Sequence, residues 1–394
     1  MNYRILSLDG GGTWALIQLK ALIALYGEDT SGHVVLSDFD LVAANSGGSI
    51  VLGGLVEDLA LKQILGFFQD NAMRTLLFSP TRSFGSKILR ALTRGKVGPK
   101  YSAENKLPGL ENVFPSRGKL PLGCAAAGLG RGGNIHLLIT ALEQTKKHTK
   151  FFRSSPASGP AWGFGSEADV TLAQAIHAST NAPVNFFDAP ATFPGRWGSY
   201  WDGAISGFNN PILAAVTEAI VKGQNATDLA VLSIGTASFA LPWPEEGLPN
   251  SSKIQRVVKQ KFMADLSDLA TSILDEPPYV ATFLAHVMTG SGIGLGKPPS
   301  DSRIIRMNPV ISPVLNAGVW NLPGSMRPDQ FLYLAGIAMD ALKQKEVNAI
   351  SSYADLWVQG VAPNQPIREN RDKLAAELGQ TTFPDAVAAW NAIK

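Results

Sequence analysis

The stretch Phe39-Asp40-Leu41-Val42-Ala43-Ala44-Asn45-Ser46-Gly47-Gly48-Ser49-Ile50-Val51-Leu52 reads as an apolar strand that breaks into a glycine turn and resumes at once as an apolar helix. Few architectures accept so abrupt a passage from buried strand to buried helix, and a layered α/β domain is the one that does so routinely. The turn needs small residues two before and two after Ser46, and Ala44 and Gly48 stand there. A serine on such an elbow is lifted clear of the sheet, with the positive end of the next helix aimed at it. That is how a fold presents a nucleophile. Asn-Ser-Gly-Gly is also ordinary turn chemistry, so other parts of the chain must decide between a structural turn and a reactive serine.

The same texture runs through the first three quarters of the chain. Strand patterns at Ile5–Leu8, Phe39–Ala43, His136–Leu142, Leu229–Ile234 and Arg303–Arg306 alternate with helical ones. Two helices follow glycine turns, Thr13–Tyr26 and Ser49–Val56, and both are apolar nearly all round, which predicts burial. From about Trp243 onward Pro- and Gly-rich linkers surround helices, including one with a strong apolar face from Pro328 to Trp357. With 45% hydrophobic and 17% charged residues over 394 positions the chain is far from disorder, and a net charge of +2 offers no general attraction to nucleic acid. Cys124, the single cysteine, excludes an intrachain disulfide and a cysteine zinc cluster and is expected to be a buried structural thiol. The first strand begins so early that no secretory signal fits ahead of it, and no uncharged apolar run reaches the roughly 18 residues of a membrane span. The expectation is a soluble cytoplasmic protein, with at most peripheral membrane contact.

A second glycine turn, Leu8-Asp9-Gly10-Gly11-Gly12-Thr13-Trp14, joins the first strand to the first buried helix. Three consecutive glycines let backbone N–H groups converge at a helix N-terminus and make an anion site. Such a site suits a phosphate, as in the nucleotide loops of the actin and sugar-kinase type. It equally suits the oxyanion of a tetrahedral intermediate in acyl transfer. The loop alone does not choose.

A third element chooses. In Tyr200-Trp201-Asp202-Gly203-Ala204-Ile205-Ser206-Gly207-Phe208-Asn209-Asn210-Pro211 an aspartate precedes small residues and an Asn-Asn-Pro that starts the next helix. Asp-Gly-Gly-Gly, a small-x-Ser-x-Gly elbow some thirty to forty residues later, and Asp-Gly-Ala followed by Asn-Asn-Pro, in that order, resemble the patatin-like phospholipases, lipid acyl hydrolases with a Ser-Asp dyad. Weaker matches include Lys100-Tyr101-Ser102, Thr140-Ala141-Leu142-Glu143 running to Phe151-Phe152-Arg153-Ser154, Ala175 to Pro183, and Leu232-Ser233-Ile234-Gly235-Thr236, so the resemblance spans roughly Met1 to Pro309. Two departures stand out. Ala44 replaces the elbow glycine usual in the family, and Trp14 occupies the place of a basic residue after the glycine loop.

The resemblance implies a three-layer α/β/α sandwich with a mainly parallel central sheet, a catalytic domain over 1–310 and a helical C-terminal extension over 311–394. It also implies Ser46 as nucleophile, Asp202 as base, and the Gly10, Gly11 and Gly12 amides as oxyanion hole, with no metal or cofactor. An ordinary aspartate near pKa 3.9 is a poor base for a hydroxyl, so the dyad requires a site that compensates by positioning or desolvation. A histidine triad is the competing mechanism, and His177 is the histidine nearest a family motif. The expected partner is a lipid, not nucleic acid, and activation by a ligand or partner protein stays open. Between Asn71 and Ala103 lie Arg74, Arg82, Lys87, Arg90, Arg94, Lys96 and Lys100 with no acidic residue, interleaved with apolar ones. That mixture suits a flap resting on an anionic membrane surface, or equally a solvated helix face folded on the core. A nucleotide-binding protein of the actin and sugar-kinase type remains as an alternative that accounts for neither Ser46 nor the Asp202 element, and a lipid-binding homologue that does not turn over is a third possibility.

Overall fold

Each parallel strand of this protein is apolar enough to be buried on both faces, which requires helices on both sides of the sheet. The computed structural model describes residues 2–78, 100–154, 170–183, 186–194, 198–239, 278–290, 303–367 and 379–394. In chain order the elements that matter to the site are β1 (Tyr3–Leu8), α1 (Leu16–Tyr26), β2 (Leu41–Ala44), α2 (Ser46–Val56), α3 (Leu61–Gln69), α4 (Asn71–Phe78) and α5 (Ala103–Val113). They continue with β3 (His136–Glu143), β4 (His148–Arg153), α6 (Leu172–Ser179), β5 (Tyr200–Asp202), α7 (Ile212–Val221) and β6 (Leu229–Ile234). After these come β7 (Ile304–Met307), α8 (Pro328–Ala335), α9 (Gln344–Val358) and α10 (Phe383–Ile393).

The sheet runs β4-β3-β2-β1-β6-β7, with β5 also paired to β3. β3, β2, β1, β6 and β7 are parallel, while β4 and β5 run antiparallel to β3. Alternate side chains of the strands feed two cores. Leu6, Leu8, Val42 and Ala44 face α1, α2, α3 and α6, and Ile5, Leu41, Ala43 and Val231 face α7 and a helix over 278–289. The result is a three-layer α/β/α arrangement around a mainly parallel sheet. Each fully buried Leu or Ile in these layers contributes about 1.5–3 kcal/mol.

Every residue of α2 is buried, as its sequence predicts. α1 is buried through Leu22 except at the half-buried Lys20 and then emerges, with Ala24 exposed. The apolar run Pro328–Trp357 is not one helix. It is α8 and α9, interrupted after Gly336 by a non-helical stretch whose carbonyls are used elsewhere, as described below. The C-terminal region also holds a small hairpin, Val314–Asn316 with Val319–Asn321. α9 is tied to α1 by Lys20 and Asp355 at 2.8 Å, and Trp390 of α10 stacks on Phe39 with centroids 5.8 Å apart. Cys124 is exposed rather than buried, because its short helix turns Leu122, Ala125 and Ala126 inward and leaves the thiol outside. Among the described residues no helix is long and apolar enough to cross a membrane.

Candidate active site

Strand register brings the three sequence elements together. β1 and β2 are parallel neighbours with Leu8 opposite Ala44, so the glycine loop after β1 and the elbow after β2 leave the same edge of the sheet side by side. On β3, Ile139 is opposite Ala44 and Ala141 is opposite Asp202. Since β4 occupies the other edge of β3 over this length, β5 takes up the edge that β2 vacates. Asp202 therefore stands two residues beyond the end of β2 along β3, the same distance that Ser46 stands beyond Ala44.

Ser46 begins α2 with φ of 46°, a left-handed backbone that non-glycine residues adopt rarely and at a cost. Its amide donates to Ser179 Oγ at 2.8 Å, which anchors the strained turn to the end of α6. The elbow is also sterically committed. A Cβ on Gly47 would lie 2.6 Å from the Gly12 carbonyl oxygen and 2.9 Å from the Gly12 nitrogen, so only glycine lets the two turns touch.

Asp202 is buried, and its carboxylate is ringed by donors. Asn45 Nδ2 donates to Oδ1 at 3.0 Å and the Ala204 amide donates to the same oxygen at 2.9 Å, and the Ser46 side chain favours the charged form of the carboxylate. Burial raises its pKa above the ordinary carboxylate value, opposed by those hydrogen bonds and by the charge of Lys106. This is the desolvation that a carboxylate base requires. Asn45 is itself held by Thr140 Oγ1, which donates to its Oδ1 at 2.6 Å.

The glycine loop has a specific donor inventory. Gly10 N donates to the Asn209 carbonyl at 2.8 Å, Thr13 N to the Met339 carbonyl at 2.9 Å, and Trp14 N to the Gly11 carbonyl at 3.1 Å. The amides of Gly11 and Gly12 have no partner among the described residues. Gly10 thus supports the loop through Asn209, while the next two glycines supply N–H groups able to meet an oxyanion. The loop is clamped from behind. Thr13 Oγ1 donates to the Asp340 carbonyl at 2.7 Å and Trp14 Nε1 to the Ala338 carbonyl at 3.3 Å, using the stretch between α8 and α9. Gln18 Nε2 holds the Asp9 carbonyl at 2.8 Å, and Thr236 Oγ1 holds the Gly10 carbonyl at 2.6 Å.

Beneath the loop, Asp9 pairs with Arg306 of β7: Nη1 donates to Oδ1 at 3.0 Å while Nη2 meets Oδ2, and Nη1 also reaches Ser233 Oγ at 2.8 Å. Both side chains are buried, and burial raises the Asp9 pKa against the opposing influence of Arg306. So, among the described residues, Arg306 is taken up by Asp9 and does not stand in for the basic residue that Trp14 replaces in sequence. The cation lies below, already neutralised.

His177 is buried on α6, with Nδ1 unpartnered, and no hydrogen bond joins it to Ser46 or Asp202. Burial, reinforced by the charge of Lys106, depresses its pKa to about 3. Among the described residues no group of three His, Cys, Asp or Glu is placed to hold a metal.

Most of the basic stretch 71–103 lies outside the described residues, including Arg82, Lys87, Arg90, Arg94 and Lys96. Its two described end members point into the protein. Arg74 donates to the carbonyls of Phe68, Gln69 and Leu342 at 2.9, 2.7 and 3.2 Å, and Lys100 pairs with Asp340 at 2.7 Å.

Asn45, Thr140, Ser179, Lys106 and Arg306 carry no motif of their own. Asn45, Thr140, Ser179 and Arg306 lie within stretches the sequence singles out, but nothing there assigns them a role, and Lys106 lies in none of those stretches.

Residues 6–216 match the sequence profile of the Patatin family, patatin-like phospholipase. The chain is similar to a cGAMP-activated phospholipase of Pseudomonas aeruginosa, 26% identical over 242 residues that cover 60% of this chain and 63% of that protein. It thus spans less than two thirds of this relative's length. Among solved structures it is similar to human GIVD cytosolic phospholipase A2, with 13% identity, TM-score 0.44, and coverage of 100% of this chain and 59% of that one. VipD from Legionella pneumophila is a further neighbour, with 11% identity, TM-score 0.35, and coverage of 90% and 67%. By the match over more than half of its length, the chain belongs to the patatin-like phospholipase family.

Proposed function

We propose that this protein is a lipid acyl hydrolase that cleaves carboxylic esters of phospholipids or related lipids through a Ser46–Asp202 dyad and an acyl-enzyme. The observation that carries the reading is a buried Asp202 carboxylate, oriented by Asn45 and the Ala204 amide and with its charged form favoured by Ser46, at the same end of the sheet as two glycine amides that have no partner among the described residues. The Ser46 Oγ–C bond forms as its proton passes to Asp202, and the carbonyl oxygen becomes an oxyanion facing Gly11 N and Gly12 N. The ester C–O bond then breaks, and Asp202 returns the proton to the leaving alcohol. Water attacks the acyl-enzyme, giving a proton to Asp202, which passes it back to Ser46 as the acid departs. Asn45 and the Ala204 amide hold the carboxylate throughout, so the base is oriented before substrate arrives.

Family membership supports lipid as the substrate class. The same reading takes 1–310 as the catalytic unit and 311–394 as a helical extension packed on it, in a cytoplasmic protein with peripheral membrane contact. That the Pseudomonas aeruginosa relative is a cGAMP-activated phospholipase supports assaying with and without a cyclic dinucleotide.

The test is labelling with a fluorophosphonate, alongside hydrolysis of phospholipids, lysophospholipids and short acyl esters. Wild type is expected to label and Ser46→Ala to lose label and hydrolysis together. A labelled Ser46→Ala protein would remove Ser46 as the nucleophile.

A further inference from the structure

Lys106 is a lysine in a place that rejects charge. It lies on α5 with 1% of its surface exposed, and its ammonium touches no carboxylate among the described residues. Nζ donates to the Thr180 carbonyl at 2.6 Å and sits 4.0 Å from the centroid of the Phe187 ring. An ordinary salt bridge does not account for it.

Its surroundings are the supports of the dyad. Thr180 is the C-cap of α6. The residue before it, Ser179, accepts the Ser46 amide, and the residue after it, Asn181, accepts the Asp202 amide through its carbonyl at 3.0 Å. Three consecutive residues therefore hold the nucleophile's backbone, the Lys106 ammonium and the base's backbone. Among the described residues the titratable groups facing Lys106 are Asp202 from β5 and His177 from α6, while Asp188 in the neighbouring loop is engaged by the Ala103 amide at 2.9 Å.

We propose that Lys106 is a positioning residue for the reaction: its ammonium, fixed between the Thr180 carbonyl and the Phe187 ring, is the buried counter-charge that keeps Asp202 ionised and ready to accept the Ser46 proton. Burial drives the Lys106 pKa well below the usual lysine value, with Asp202 opposing that shift, and Lys106 in turn opposes the rise at Asp202. Each group thus stabilises the charged form of the other in a site where neither would ionise easily alone. A purely structural role is the competing explanation, because a cation at the last carbonyls of α6 is favourable by itself.

The inference rests on Asp202 as base, so Asp202→Asn is assayed beside the Lys106 variants. The experiment is the pH dependence of kcat/KM on a short acyl ester, with Tm measured on each protein. Lys106→Met removes donor and charge; Lys106→Gln keeps a donor for Thr180 and removes only the charge. Both are expected to move the acid limb of the profile upward by about one pH unit, a roughly tenfold loss below the limb, with rates converging above it. A Lys106→Gln protein with the wild-type limb overturns the proposal, as does a loss that is uniform across pH. Failure of both variants to fold assigns Lys106 to the fold and likewise overturns it. Full activity in Asp202→Asn would instead sink the dyad itself, so the two failures are distinguishable.

Discussion

The Asp9–Arg306 pair offers a sharp test of how the glycine loop is held. Each side chain is 3% exposed, and the two meet through paired N–H···O contacts below Gly10. Removing one partner strands the other charge, and for buried pairs that costs about 3–5 kcal/mol, whereas replacing both by apolar or neutral groups is often close to neutral. Arg306→Met is therefore expected to lose about 3–5 kcal/mol, and Asp9→Asn/Arg306→Met to recover most of it. With unfolding entropy near 2.1 cal/mol/K per residue, that loss corresponds to a fall of roughly 4–6 °C in Tm for a chain of this length. The sign with pH adds a second check. In Arg306→Met the folded-state pKa of Asp9 rises further above its unfolded value, so the folded form holds the extra proton. Stability is then greatest below the unfolded pKa and falls as pH rises toward the folded one. The variant's deficit should accordingly be smaller at pH 5 than at pH 8. Equilibrium unfolding in urea at the two pH values, over the full double-mutant cycle, reads both effects. Additive single and double changes, or a single change below about 1 kcal/mol, would show that the pair does not secure the loop.

Two further outcomes are expected. His177, with a folded pKa of about 3 against an ordinary 6.5, binds its proton mainly in the unfolded chain. Its contribution is therefore lost as pH falls below about 6.5, by up to about 4–5 kcal/mol on approach to pH 3, and His177→Leu should flatten wild type's stability loss between pH 7 and 4 in thermal melts. Asp340 accepts from Lys100 Nζ and from Tyr101 Oη at 2.6 Å. Asp340→Ala should cost about 1–3 kcal/mol and Asp340→Asn less, since an amide oxygen still accepts from the tyrosine; equal costs in a urea titration would refute this.

The parallel strands and the two glycine turns were readable because their information is local: apolar runs of strand length, bounded by glycines, at matching ends of β1 and β2. Asp202 was readable only as a motif. Its placement depends on β5 pairing with β3 beyond the end of β2, a register no local pattern announces. β4 and β5 carry mixed polar and aromatic residues and lacked the apolar continuity that marked the parallel strands. Lys106 was invisible for a different reason, since in sequence it sits among Glu104, Asn105 and Glu111 like any solvated helix residue, and only packing against α6 reveals it as buried. The split between α8 and α9 escaped because apolar periodicity continues across it. What breaks the helix is competition for its carbonyls by Thr13 and Trp14, residues more than three hundred positions away.

That competition has a consequence for how the protein can be dissected. Since Thr13 N is occupied by Met339, the loop's choice of which N–H groups face outward is made by a segment from the far end of the chain. Cutting the chain after α8 would remove the back wall of the cradle while leaving every recognisable motif intact. A fragment containing Ser46, Asp202 and all three glycines would then present Thr13 N as a third loose donor. Its failure to react would say nothing against the motif residues.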